Sequence, residues 1–202
     1  MKKFLLLLLL LGTFTASAQN TDIRWLRAVH VNRNTSLDPM FKGFSNSVYP
    51  ISAGIPAGFL VHSLLKCDTV RQQRLWLIGG TMAISTGLTL GLKYSINRKR
   101  PFVTYPDIQA QQHAGPYSFP SGHTSSAFAL ATSVTIAFPK WYVAVPAYVW
   151  AGSVAYSRMH LGMHYPGDLL GGAIVGAGSA WLSWKLNRWM MQSFAGRLRK
   201  NC

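Results

Sequence analysis

The chain has 202 residues, and its 20 Lys and Arg against 5 Asp give a formal charge of +15. This length is typical of a single domain. Hydrophobic residues make up 49% of the chain and fall in long runs between short basic segments, which favours a membrane protein and argues against a nucleic-acid partner. Two cysteines, Cys67 and Cys202, are too far apart in sequence to build a metal cluster or a disulfide framework.

The N-terminus has the features of a secretory signal. Two lysines follow Met1, an apolar run covers residues 4–11, and Ala16-Ser17-Ala18 precedes Gln19. Because the run is short for a membrane span, we expect residues 1–18 to be a cleaved signal peptide and residues 19–202 to form one domain. The alternative is an uncleaved anchor, which would add a sixth span.

Residues 20–47 are mixed in polarity. Ile23, Trp25, Leu26 and Val29 recur at roughly helical spacing among arginines. This pattern predicts an interfacial helical segment, and the alternative is an ordinary surface helix docked on the rest of the protein.

Five uncharged apolar stretches follow, at residues 48–65, 75–92, 124–138, 141–156 and 169–184. They are slightly shorter than the roughly 20 residues of an ideal span, and they are rich in Gly, Ser and Thr, which let helices pack closely in bilayers. We predict an all-α fold, a polytopic membrane bundle of five spans within residues 48–184. The low mean hydropathy of +0.16 leaves a water-soluble helical protein as the alternative.

Basic residues between the stretches predict the orientation. By the positive-inside rule, the cytoplasmic ends are those that carry Lys66, Arg71, Arg74, Lys140, Lys185, Arg188, Arg197, Arg199 and Lys200. Residues 93–123 and 157–168 then share the extracytoplasmic face of a multi-pass protein in the inner (cytoplasmic) membrane. Four cations in the first of these segments break the rule, which indicates an anion to bind: Lys93, Arg98, Lys99 and Arg100.

Three short motifs lie on that face, each with its own defined spacing of residues. They read K-x6-R-P from Lys93, P-S-G-H from Pro120, and S-R-x5-H-x3-D from Ser157. In these motifs the chain resembles the phosphatidic acid phosphatase type 2 and haloperoxidase superfamily. That family usually has six spans, and here the sixth is represented only by the signal-like N-terminus.

The cations in these motifs suit a phosphate group. Arg100 and Arg158 offer planar forks for bidentate contact, and Lys93 is a point charge. We interpret Arg98 and Lys99 instead as residues that touch lipid headgroups. Pro120 and Gly122 predict a turn that opens a helix, so that Ser121, Gly122 and the nearby backbone N–H groups would also bind phosphate oxygens.

Two histidines carry the predicted chemistry. His164 and Asp168 are four residues apart, a spacing that matches one face of a helical turn. The resemblance implies that Asp168 orients His164 and that His164 attacks phosphorus to form a phosphohistidine. His123 fits the general acid that protonates the leaving oxygen. The remaining histidines are interpreted as structural or surface residues: His30, His62, His113 and His160.

A metal site built from His160, His164 and Asp168 is disfavoured, because the surrounding cations would repel a metal ion. We therefore predict no cofactor and no metal. The predicted function is a metal-independent lipid phosphatase or pyrophosphatase with a lipid phosphate substrate in the membrane. The alternatives are a soluble periplasmic acid phosphatase for small monoesters, a vanadium haloperoxidase and a non-catalytic membrane protein. No motif specifies an oligomeric state.

Overall fold

The computed structural model describes residues 20–65 and 69–198. The regular secondary structure of this part of the chain is helical, with one isolated β-bridge between Lys99 and Tyr117 in the irregular segments between helices. Helix α1 covers residues 20–30, and a short 3-10 turn, Thr35–Leu37, precedes the long helices. The further helices are α2 (Asp38–Leu65), α3 (Thr69–Ile96), α4 (Pro101–Thr104), α5 (Gly122–Ala137), α6 (Trp141–His160) and α7 (Pro166–Leu198). The all-α prediction is confirmed.

Helix α5 lies at the centre of the bundle, in contact with α2, α3, α6 and α7. Small buried residues such as Ala127 and Ala131 line it, so neighbouring backbones can approach closely. Gly172 and Gly176 of α7 form a G-x-x-x-G pair on the facing side. A Cβ at Gly172 would lie 2.8 Å from the Ser121 carbonyl oxygen, and one at Gly176 would lie 2.7 Å from the Ala129 nitrogen. The tight α5–α7 contact therefore requires glycine at both positions.

The five predicted stretches correspond to α2, α3, α5, α6 and α7, but most of these helices extend well beyond the apolar runs. Helix α2 begins at Asp38, ten residues before the predicted boundary, and α7 continues to Leu198. Among the described residues, one helical stretch, Gln72–Ile96, is long and apolar enough to cross a membrane by its composition. The number of spans stays a prediction.

The segment 20–47 is not one helix. Helix α1 ends at residue 30, and the chain turns before α2 begins at Asp38. Ile23 and Leu26 are buried against Ile108 and Tyr165, so α1 is docked on the protein. Its interfacial role stays a prediction.

The long helices alternate in direction, so their ends form two opposite faces. At one face the guanidinium of Arg74 lies 4.3 Å from the ring centre of Phe138, and Asn187 donates to the Gln73 carbonyl. The motif segments lie at the other face, as described below. The predicted signal peptide, Cys67 and Cys202 lie outside the described residues, and the division into domains stays a prediction.

Candidate active site

The three motifs meet at one end of the bundle. Lys93 is in the last turn of α3, Arg100 precedes α4, and Arg158 is in the last turn of α6. His123 is in the first turn of α5, close enough to interact electrostatically with these three cations and with His164. The sequence therefore predicted correctly which side chains converge.

His164 is almost completely buried, and its two ring nitrogens face different groups. Nε2 lies 3.2 Å from Nη1 of Arg100, while Nδ1 lies 3.4 Å from Oγ of Ser118 and 3.5 Å from Oδ2 of Asp168. Because a guanidinium only donates hydrogen bonds, this arrangement favours a proton on Nδ1 and an unprotonated Nε2 that accepts from Arg100. Burial, reinforced by the nearby Arg100 and Arg158, lowers the pKa of His164 to about 3, so the ring is neutral at pH 7.

The sequence analysis predicted that His164 and Asp168 lie on one face of a helical turn, and this prediction is wrong. His164 lies in the segment 161–165 between α6 and α7, and Asp168 lies in the first turn of α7. Ser118 contacts both side chains, since its hydroxyl also donates to Oδ2 of Asp168. Ser118 is thus a site residue that the motif analysis missed.

Asp168 is completely buried and has further partners. Its Oδ2 accepts the backbone N–H of Tyr165 at 3.0 Å, and its Oδ1 accepts Nη1 of Arg98 at 2.7 Å. The interpretation of Arg98 as a lipid headgroup contact is therefore wrong, because its guanidinium donates to the buried carboxylate of Asp168. Nothing in the motif spacing separated Arg98 from Lys99, which is exposed.

Three cations surround the space next to His164, and each is held by neutral groups. Arg100 donates to the carbonyls of Gly115 and Met163, at 2.6 and 3.0 Å. Lys93 donates to the carbonyl of Tyr117 at 3.0 Å. Among the described residues, none of these three cations forms a salt bridge with an aspartate. The salt bridges of the four aspartates are to Arg27, Arg33, Arg98, His160 and His164. The site therefore has an excess of positive charge.

Arg158 is the most deeply buried of these cations. Its Nη1 donates to Oγ of Ser45 and to Oε1 of Gln112, while its Nε is buried and has no partner. Tyr49 lies within electrostatic reach of Arg158 and Arg100. Its ring also packs edge-on against His123, with 5.0 Å between the ring centres. Ser45, Tyr49 and Gln112 lie outside the motifs, and no pattern in the sequence indicates that they belong to the site.

The start of α5 forms the remaining wall, as the turn at Pro120 predicted. Ser121 is the N-cap residue, and its backbone N–H donates to the carbonyl of Asp168 at 3.0 Å. Its hydroxyl accepts the hydroxyl proton of Thr124 at 3.0 Å, so its own proton remains available to donate. The first turn of α5, with Gly122 and His123, is a helix N-terminus of the kind that binds anions.

The other histidines lie outside the site. His30 and His160 are buried, and Nδ1 of His30 is 2.8 Å from the backbone oxygen of His160. His160 also bonds to Asp38, at 2.8 Å. Their burial and hydrogen bonds are what a structural role would require, and that role stays a prediction. His62 and His113 are exposed.

Comparisons with known proteins place the chain in a family. The model of the PAP2 superfamily matches residues 74–192, which include all three motifs. The chain is 36% identical over 86 residues to the lipid A 4'-phosphatase of Bacteroides thetaiotaomicron, covering 43% of this chain and 38% of that protein. It is 30% identical over 152 residues to a putative undecaprenyl-diphosphatase of Escherichia coli, covering 65% of this chain and 72% of that protein.

Among solved structures, the chain resembles a transmembrane PAP2-type phosphatidylglycerolphosphate phosphatase of Bacillus subtilis. The TM-score is 0.69 at 26% identity, with 92% of this chain and 94% of that chain covered. The fold also matches LpxE of Aquifex aeolicus, with a TM-score of 0.71 at 24% identity over 82% of this chain and 95% of that one. The matched family model, the relatives and the fold agree that this chain belongs to the PAP2 superfamily.

Proposed function

We propose that this protein is a metal-independent phosphatase that removes a phosphate from a lipid phosphate or pyrophosphate through a phosphohistidine intermediate. The observation that carries the proposal is the orientation of His164. Its Nδ1 faces Ser118 and Asp168, and its Nε2 faces Arg100 at 3.2 Å. A neutral imidazole with a free Nε2 beside a cation is suited to attack a phosphate held by that cation.

The charges at the site support an anionic substrate. Arg100 and Arg158 are both buried, and together with Lys93 they have no carboxylate salt bridge within the described residues. Burying unpaired cations is unfavourable, so a bound phosphate would supply the missing negative charge. Preorganised cations also stabilise the charge that develops on the phosphoryl oxygens during transfer.

The proposed reaction has two steps. In the free site, burial and the neighbouring cations lower the pKa of His123 to about 3, so the ring takes up its proton together with the anionic substrate, whose charge raises that pKa. In the first step, Nε2 of His164 forms a bond to phosphorus as the bond to the leaving oxygen breaks, and the His123 imidazolium donates its proton to that oxygen. Asp168 stabilises the positive charge on the ring, helped by Ser118. In the second step, a water molecule attacks phosphorus and gives a proton to His123. This attack breaks the N–P bond, releases inorganic phosphate and returns both histidines to their starting protonation states.

The outer surface of the bundle supports a membrane location. Large apolar side chains are exposed on α3, α6 and α7, including Leu88, Val149 and Ile174, which is 65% exposed. Apolar surface of this extent is typical of a protein that contacts lipid. By their names, the relatives are a lipid A phosphatase and a putative undecaprenyl-diphosphatase, and the protein of the related solved structure is a phosphatidylglycerolphosphate phosphatase. A lipid phosphate substrate therefore suits this site best.

The distribution of basic residues supports one orientation of the protein in the membrane. Arg74, Lys140 and Arg188 lie at the end of the bundle opposite His164, and cytoplasmic ends are enriched in such residues. We infer an inner-membrane protein with an extracytoplasmic active site. This arrangement would let the lipid headgroup reach His164 from the outer leaflet.

A soluble acid phosphatase is the second candidate, favoured by the mean hydropathy of +0.16. Two measurements separate the candidates. The protein should stay in the membrane fraction after carbonate extraction. The purified protein in detergent should release phosphate from undecaprenyl diphosphate, lipid A or phosphatidic acid much faster than from a sugar phosphate. Release into the soluble fraction with a preference for the sugar phosphate would support the second candidate.

A further inference from the structure

Helix α1 reaches the catalytic carboxylate through one side chain, Asp22. Its Oδ2 accepts Nη2 of Arg98 at 2.8 Å, and its Oδ1 accepts the backbone N–H of Gly167 at 2.9 Å. Gly167 directly precedes Asp168 in the first turn of α7. Asp22 thus contacts both the residue before the catalytic carboxylate and the cation bound to it.

Arg98 is fixed between two carboxylates. It donates to Asp22 through Nη2 and to Oδ1 of Asp168 through Nη1, at 2.7 Å. Its guanidinium also lies 4.1 Å from the ring centre of Tyr165, which follows His164 directly. These contacts leave Arg98 little freedom to move without moving Asp168.

The start of α7 is shaped to accept Asp22. A Cβ on Gly167 would lie 2.7 Å from Oδ2 of Asp22, so any larger residue there would push the carboxylate away. The close approach is thus a specific contact between α1 and α7.

We infer that Asp22 and Arg98 are positioning residues that hold Asp168, and through it and Ser118 the ring of His164, in the orientation for attack. This inference rests on the proposed function. Catalysis is sensitive to small displacements of a reacting group, because the attacking atom must be aligned with phosphorus. Among the hydrogen bonds and ion pairs of the described residues, neither side chain contacts His164 directly, so both would act through Asp168.

A simpler role for Asp22 would be to dock α1, and the chain offers a matched control for that role. Arg27, also in α1, forms a bidentate ion pair with Asp107 at 2.7 and 3.0 Å. This pair also connects α1 to the segment between α3 and α5. Among the hydrogen bonds and ion pairs of the described residues, however, Asp107 has no contact with Asp168 or His164.

The test compares Asp22→Asn with Asp107→Asn in the full-length protein in detergent, with phosphate release from a lipid phosphate as the readout. Asp22→Asn should lower kcat roughly tenfold and change KM less than twofold. Asp107→Asn should leave kcat unchanged. Gly167→Ala should lower kcat in the same way as Asp22→Asn, because it displaces the Asp22 carboxylate.

A second readout does not depend on activity. The ring nitrogen signals of His164, measured by NMR, should shift in Asp22→Asn and stay in place in Asp107→Asn. Equal losses of kcat in the two variants, or unchanged His164 signals in Asp22→Asn, would overturn the inference. A wild-type protein that released no phosphate would instead contradict the proposed function, while the His164 signals would still test the positioning role.

Discussion

Nη1 of Arg100 lies 3.2 Å from Nε2 of His164, and this contact distinguishes the two nitrogens of the ring. Arginine only donates hydrogen bonds, so Nε2 is the nitrogen with the available lone pair. Nδ1 faces Ser118 and Asp168, where a proton can be held. The contact therefore supports the proposal that Nε2 is the attacking atom and that Arg100 holds the phosphate next to it.

The roles of the two histidines can be separated with leaving groups of different quality. A good leaving group needs no proton, so His123→Ala should slow phosphoenzyme formation from a lipid alkyl phosphate about a hundredfold or more and from an activated aryl phosphate much less. Single-turnover rates for the two substrates provide the measurement. His113→Ala, a change at an exposed histidine, is the matched control. Equal losses on both substrates would assign His123 to phosphate positioning instead.

The protonation of His164 should be unusual. Burial lowers its pKa to about 3 from an ordinary 6.5, so the native protein takes up fewer protons than the unfolded chain between these values. The free energy of unfolding should therefore decrease as the pH falls below 6.5, because the unfolded chain binds a proton at His164 and the native protein does not. The ring of His164 in the native protein should remain neutral at pH 5. Histidine ring signals followed by NMR from pH 8 to 5 test this, with His164→Ala to assign the signal. A midpoint near 6.5 would contradict the expectation.

Activity should not depend on a divalent metal ion. In the proposed mechanism, Lys93, Arg100 and Arg158 would supply the positive charge that metal ions supply in many other phosphatases. We expect full phosphate release after treatment with EDTA and competitive inhibition by vanadate, whose adduct resembles the transferring phosphoryl group. A loss of activity with EDTA that an added divalent ion restores would argue against the mechanism.

The packing of α5 on α7 should depend on Gly176. A Cβ there meets backbone atoms of Ser125 and Ala129, which cannot rotate away, so Gly176→Ala should destabilise the fold by about 1–3 kcal/mol. Gly178→Ala is the matched control, because a Cβ at Gly178 has no atom within 4 Å. Thermal unfolding in detergent measures both. Similar melting temperatures for the two variants would show that the contact relaxes easily.

The sequence was sufficient for the main elements of the site because the motifs contain most of the charged and titratable side chains that converge there. Lys93, His123 and His164 meet as predicted, and the helix that Pro120 and Gly122 indicated begins at Gly122. Uncharged runs located the long helices, although α2 begins ten residues early, since residues 38–47 are too polar to extend the apolar pattern.

The supporting residues were not predictable, because their roles arise from contacts between distant segments. Arg98 and Lys99 are adjacent cations, and only the fold shows that Arg98 turns towards Asp168. Ser118 contacts His164 across 46 positions, and Arg158 contacts Ser45 across 113. Asp22 belongs to a segment whose pattern indicated an interfacial helix or a docked surface helix. That pattern did not indicate the contacts of Asp22 with Arg98 and Gly167.

The most direct test of the central claim is to trap the phosphoenzyme. Protein mixed with a radiolabelled lipid phosphate and quenched in alkali, where phosphohistidine is stable, should carry label on the peptide that contains His164. The His164→Ala variant should stay unlabelled and release no phosphate, while remaining folded and in the membrane fraction. Phosphate release without any protein-bound label, or label that persists in His164→Ala, would contradict the account.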